Sequence, residues 1–187
     1  MIRKMAAEDI SISVEDKLLT QVVGGAARFT IMGIASEEFP ELPRVEEGEG
    51  ISIPQDKLKS MIEQPLFAIA QTDTKPVHTG SLFDLTEGKL NVVSVDGYRL
   101  ALRSEVVGGD QTMSFVVPGK VLGEIVKLLK EDSETPATLT VSRRHIVFSI
   151  ESYSVVSRLL EGEFLDYKVS IPQGCKTTIV TNTREFI

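Results

Sequence analysis

Cysteine is almost missing from this sequence: Cys175 stands alone among 187 residues, so no intrachain disulfide can form. Histidine is nearly as scarce, and His78, His145 and one thiol at wide spacing make no metal-ligand set. No run approaches the roughly eighteen apolar residues that a membrane helix needs. The opening MIRKMAAEDI also lacks the apolar core of a secretory signal, so the expectation is a cytoplasmic protein with no membrane partner. No G-x-x-x-x-G-K-[ST] loop is present to cradle a nucleotide. Cys175 and His145 are the one pair that could be cast as nucleophile and base, yet nothing flanks Cys175 to lower its pKa. The expectation is a protein that is not an enzyme, with no catalytic residue, no metal and no cofactor.

What is present fits a globular chain. Apolar residues make up 42% and charged residues 25%, enough to bury a real core in one large or two small domains. A formal net charge of -7 argues against a basic coat over the whole surface and leaves room for a local basic face.

Three short strands read from the first segment, within ISISV, LLTQVV and ARFTIMGI, after a stub of helix at residues 2–5. The acidic, glycine-containing stretch PRVEEGEG (Pro43 to Gly50) then marks a domain boundary. Beyond it the order is strand (ISIP), helix (Gln55 to about Ala70), and strands at 80–85, 89–95 and 98–106. The same order returns as a strand at 114–117, a helix from Gly119 to Lys130, and strands at 137–141, 145–150 and 153–160. A βαβββ unit therefore occurs twice, with Pro54 and Pro118 at matching strand-to-helix joints where their fixed backbone angle suits a helix start. The expected fold class is α+β, two helices packed on antiparallel sheets. A longer repeat relates residues 36–42 to 161–167 and, more weakly, 51–58 to 179–186. That register predicts the tail of one unit, a whole unit and the head of a third, so the chain reads as a fragment.

The helices carry their apolar stripes at Leu58, Met61, Ile62, Leu66 and Ile69, and at Leu122, Ile125, Val126 and Leu129. Pro65 is expected to kink or split the first. Lys120, Glu124, Lys127 and Glu131 form an alternating row, which reads either as a solvated face laced with weak ion pairs or as a comparatively basic side able to approach a phosphate backbone. The latter follows because lysines balance acids over the helical segments, leaving the net negative charge to the strands and loops. At Val92 to Arg103, VVSVDGYRLALR, Val93 and Val95 alternate before Asp96-Gly97 and Leu100 and Leu102 after it, the pattern of half-buried strands joined by a tight turn. Tyr98 and Arg99 follow the turn, where they serve an ordinary hairpin or flank a shallow apolar depression that docks a peptide.

Four motifs in order, T-D-T-K-P-V-x-T-G-x-L-F (Thr72 to Phe83), V-D-G-Y-R-L-A (Val95 to Ala101), V-V-P-G-K (Val116 to Lys120) and S-R-L-L-E-G-E-F-x-D-Y (Ser157 to Tyr167), resemble the bacterial DNA polymerase III beta subunits, the sliding clamps. The resemblance implies the DNA-clamp fold, with residues 1–46 as the end of a first clamp domain, 47–171 as a complete second and 172–187 as the opening strand of a third. It implies a processivity factor without chemistry, a head-to-tail homodimeric ring around double-stranded DNA that tethers the replicative DNA polymerase and meets its clamp loader through short peptide motifs. This chain, as a fragment, is expected to be a monomer or a non-ring oligomer. The alternative is a stand-alone interaction module that binds peptides without encircling DNA. By position, the resemblance assigns Val95, Gly97, Tyr98, Arg99 and Leu100 to a partner-peptide pocket, with His78, Leu165 and Val169 where the family commonly has, or in some members has, other residues. It places Lys75 and Lys120 toward DNA, and the helical row adds Lys127.

Overall fold

The computed structural model describes residues 2–41, 49–72 and 74–186. Two compact units divide the chain, Met1–Pro43 and Arg44–Ile187. The expected boundary and most of the PRVEEGEG linker fall on 42–48, outside the described residues.

The first unit is a three-stranded antiparallel sheet in the order β1 (Ser11–Val14), β2 (Leu19–Gly24), β3 (Ala27–Met32). Gly25 makes the β2–β3 turn at φ +59, a backbone region that suits glycine. The expected helical stub is a single 3-10 turn, Ile2–Lys4.

In the second unit β4 (Glu49–Ile53), α1 (Gln55–Leu66), β5 (Gly80–Thr86), β6 (Lys89–Val95) and β7 (Leu100–Val106) form the first βαβββ repeat. The second is β8 (Met113–Pro118), α2 (Gly119–Leu128), β9 (Ala137–Val141), β10 (His145–Ile150) and β11 (Tyr153–Arg158). The repeats trade their opening strands. β4 pairs with β9, giving the sheet β11-β10-β9-β4, and β8 pairs with β5, giving β7-β6-β5-β8. Each sheet is thus completed by the other repeat. At the β5–β8 contact Gly80 has no side chain, and a Cβ there would run into the Val117 carbonyl.

The main core lies between the helices and the two sheets. Leu58, Met61 and Ile62 of α1 and Leu122 and Ile125 of α2 meet Phe83, Leu85, Leu90 and Val92 of one sheet and Ile53, Leu139, Ile146 and Phe148 of the other. The stripes read from the 3.6-residue period are the buried faces. Pro54 and Pro118 adopt the same extended geometry, φ -53 and -56, one residue before each helix rather than inside its first turn.

Several boundaries differ from the sequence reading. α1 stops at Leu66, not near Ala70: Pro65 has no N–H to give, its ring crowds the carbonyl four residues back, and the chain closes with tighter bonds from Ala68 N–H to Pro65 O and Ile69 N–H to Leu66 O. α2 ends at Leu128 because Leu129 turns extended. β6 is not half-buried, since Val92 to Val95 are covered on both faces. After α3 (Tyr167–Ser170), residues 179–182 form no strand, and α4 (Thr183–Phe186) follows as a short helix. Its start nonetheless aligns with that of α1 in the repeat register.

Gln55, fully buried at the head of α1, joins the repeats. Its amide donates to Ser133 Oγ (2.9 Å) and Thr135 O (2.7 Å), and its Oε1 accepts from Lys130 N–H (3.1 Å). Gln55→Leu keeps the volume and removes all three hydrogen bonds, leaving Thr135 O only its longer bond from Ser133 Oγ (3.4 Å), at about 0.5–1.5 kcal/mol for each bond lost. Urea denaturation of Gln55→Leu is expected to show a loss of about 2–4 kcal/mol.

Candidate functional site

β6 feeds two cores at once because its side chains alternate. Leu90 and Val92 face the helices, while Val93 and Val95 face away into a second cluster with Val77, Leu82, Val116 and Tyr167. Leu100, Leu160, Phe164 and Ile171 cover that cluster in part. Over it runs an irregular strap, residues 161–166, tied at both ends. At one end Leu160 N–H donates to Val116 O (2.9 Å). At the other, Asp166 caps α3 (Tyr167–Ser170) by accepting from Lys168 N–H, and the Tyr167 hydroxyl donates to Asp84 Oδ2 at 2.6 Å. Lys168 Nζ reaches the same oxygen at 3.2 Å. Burial first, then the bond to the Asp84 carboxylate, pushes the Tyr167 phenol above the usual tyrosine range.

Beneath the strap is a cavity of about 500 Å³ lined by residues 74–78 and 161–166. A second cavity, about 260 Å³, lies between Ala70, Thr72, Thr74, Lys75, His78, Asp96 and Gly97. Its far wall is the β6–β7 loop. Val95 pairs with Leu100, so the connection is a four-residue loop, Asp96 to Arg99, not a two-residue turn, and β7 begins two residues later than the sequence reading placed it. The cause is Asp96: its Oδ1 accepts from the N–H groups of Tyr98 (3.0 Å) and Arg99 (3.1 Å), and its Oδ2 from Arg99 Nε (2.8 Å). The Tyr98 amide above all, with the Arg99 amide and charge, holds the Asp96 carboxyl below its usual range against the opposing effect of burial. Arg99 then lies over the exposed Phe67 ring, 5.2 Å from its centroid.

The expected peptide-pocket residues are distributed unevenly over this site. His78 lines both cavities, Leu165 the larger and Gly97 the smaller. Val95, 2% exposed, and Leu100, partly buried, belong to the apolar cluster beside the cavities and line neither. Tyr98 is wholly exposed, and Val169, 81% exposed on α3, lines neither cavity. Val77, Phe164 and Phe67 were not singled out in the sequence reading. Val77 and Phe164 are apolar residues in mainly polar or turn-rich stretches, a signal the sequence offers, whereas Phe67 sits in the apolar run PLFAIA and carries none.

Of the two readings of the lysine row, the ion pairs favour the solvated, ion-paired face. Lys57 pairs with Glu105 (3.1 Å), Lys59 with Glu131 (2.7 Å), Lys127 with Glu124 (2.7 Å) and Lys130 with Glu151 (2.7 Å). Only Lys120, of these five, has no carboxylate within ion-pair distance among the described residues. The helices are therefore not a broadly basic side. Lys120 borders a cleft with Leu66, Gln71 and Thr79, and Lys75 is exposed between the two peptide-sized cavities. Among the described residues no three His, Cys, Asp or Glu side chains are grouped to hold a metal, and no helix is long and apolar enough to cross a membrane.

The family described as DNA polymerase III beta subunit, central domain, matches residues 52–166. The beta sliding clamp of Bacillus subtilis is 33% identical over 189 aligned positions, covering 100% of this chain and 50% of that protein. The crystal structure of the Bacillus subtilis DNA polymerase sliding clamp superposes with a TM-score of 0.84 at 33% identity, over 99% of this chain and 49% of that one. The Pseudomonas aeruginosa sliding clamp bound to griselimycin superposes at 0.76 with 30% identity, over 89% and 45%. The chain spans about half the length of the relatives it matches.

The strap's anchor is open to test. Tyr167→Phe removes one hydrogen bond to a carboxylate and is expected to cost about 1.5–3 kcal/mol near neutral pH. The raised phenol pKa stabilises the fold below about pH 10 and is lost as pH rises above it, so the stability gap to wild type narrows in alkaline urea titrations. A gap that widens there contradicts the assignment.

Proposed function

The chain belongs to the DNA polymerase III beta-subunit family, and from that premise we propose that it carries the partner-docking domain of a DNA sliding clamp. In this reading residues 47–171 are the complete second clamp domain, 1–46 the end of a first and 172–187 the opening of a third. The clamp is a processivity factor without chemistry. It closes as a homodimeric ring around duplex DNA, and short peptide segments of the replicative polymerase and of the clamp loader dock on it. Topological linkage replaces tight binding, so loose phosphate contacts suffice and permit sliding.

The observation that carries this reading is the apolar cluster that includes Val77, Val95, Leu100 and Phe164 beside two adjoining cavities, the larger lined by Val77 and Phe164 and the smaller edged by Asp96 and Gly97. Such a concave apolar site with a few polar groups at its rim suits a small ligand or peptide side chains. The Pseudomonas aeruginosa relative is bound to griselimycin, and we assign the same ligand to these cavities. Isothermal titration of the whole chain with griselimycin is expected to give saturable binding, weakened about tenfold or more by Phe164→Ala, which removes a lining side chain. No binding by the wild-type chain contradicts the assignment.

The neutralised lysines favour a second reading, an interaction module that docks peptides without holding DNA. The two separate by salt-dependent binding of a random-sequence duplex. If the chain meets phosphates, Lys75→Glu and Lys120→Glu weaken binding and flatten its salt dependence. Lys127→Glu changes it less, because that ammonium already sits on Glu124. Absence of any salt-dependent association supports the module instead.

A further inference from the structure

The two cavities share three lining residues, Thr74, Lys75 and His78, and His78 is the one aromatic side chain among them. His78 is a wall of the 500 Å³ cavity under the strap and of the 260 Å³ cavity behind the hairpin loop. Its backbone is held on both sides: its N–H donates to Lys75 O (2.9 Å) and its carbonyl accepts from Ala70 N–H (3.0 Å). Only the two side-chain torsions are left to it. The ring stands edge-on to Phe164, with centroids 5.3 Å apart and planes at 69°.

The charged groups that share these cavities are Lys75 on its own segment, Glu161, Glu163 and Asp166 on the strap, and Asp96 on the hairpin loop. Three of the four carboxylates are already engaged. Asp96 is held by Tyr98 and Arg99, Glu161 by Arg158 (3.3 Å), and Asp166 by the first turn of α3. Burial first, and then the Lys75 charge, holds the His78 imidazole below the usual histidine range, so the ring is neutral at physiological pH and offers one donor and one acceptor.

We infer that His78 is the specificity-determining residue of this docking site, the polar point read by a ligand that spans both cavities with apolar groups on either side of a neutral amide or hydroxyl. The inference rests on the docking reading above. A ligand lying across the wall takes the imidazole out of water, and the imidazolium resists that transfer more than the neutral ring does. Binding is therefore coupled to loss of a proton from His78. Affinity is level at neutral pH and above, and it falls at acidic pH, below the usual histidine range, because protonated sites must first be discharged.

The experiment is calorimetric titration of the whole chain with griselimycin at pH 7.5 and pH 5.0, for wild type, His78→Leu and His145→Gln. The wild-type affinity is expected to fall about three- to tenfold at the lower pH. His145→Gln, changed on β10 away from the site, is expected to fall equally, and His78→Leu by less than about twofold. In parallel, the NMR titration midpoint of the His78 ring is expected to move down when griselimycin is added. Wild-type binding that is equal at both pH values, or an equal loss in His78→Leu, overturns the inference and leaves the docking site standing. No binding at either pH, by wild type and His78→Leu alike, overturns the docking site and the inference with it.

Discussion

The exchange of opening strands between the two repeats is the constraint on which the rest of the second unit depends. Because β4 completes the sheet of the second repeat and β8 that of the first, neither repeat has a full sheet alone. The helices that follow those strands are thereby carried to a shared interface, where α1 and α2 pack side by side over both sheets. Gln55 ties the head of α1 to the end of α2 with an amide whose donor and acceptor are both used, so the seam between repeats is closed by polar as well as apolar contacts. Long-range pairing of this kind makes the unit cooperative: a strand cannot leave one repeat without opening the other.

That arrangement also explains why a docking site can exist on the opposite face. With one face of the sheet β7-β6-β5-β8 buried under the helices, Val93, Val95 and Leu82 on the other would be left bare without the strap. The strap covers them only in part, and its ends are fixed by Leu160 and Tyr167 while its middle has no regular structure. The cavity is thus a consequence of incomplete cover over a rigid floor. Rigid elements set its base, and the loops at residues 74–78, 96–99 and 161–166 set its rim, the division of labour common to binding sites.

The elements with strong periodicity were legible in the sequence. Leu58, Met61 and Ile62, and likewise Leu122 and Ile125, stand where the 3.6-residue stripes put them, and the repeated βαβββ order follows from turn residues and matching prolines. What was not legible depended on partners distant in the chain. Alternation suggested a half-buried β6, but Ser94 is buried too, its hydroxyl bonded to that of Ser81 at 2.8 Å, so polarity did not mark an exposed face. The ion pairs of Lys57, Lys59 and Lys130 were hidden because Glu105, Glu131 and Glu151 approach them from other segments. Tyr98 and Arg99 were drawn from strand into loop by a single carboxylate, Asp96, whose three bonds compete with the sheet ladder. Residues 179–182 had the composition of a strand and pair with no strand among the described residues. In the site, the motifs pointed to the D-G-Y-R loop, whereas Val77 and Phe164 supply much of the apolar lining, and their role emerges only when the strap folds back across the sheet.

The central claim is that ligands dock on the face of this sheet turned away from the helices. Mapping amide and methyl NMR shifts over the whole chain as griselimycin is added tests it most directly. The account predicts that the large changes fall on Val77, Val95, Gly97, Leu100 and Phe164, with the α1–α2 face unmoved. Changes concentrated on α1 and α2, with those residues silent, would contradict it.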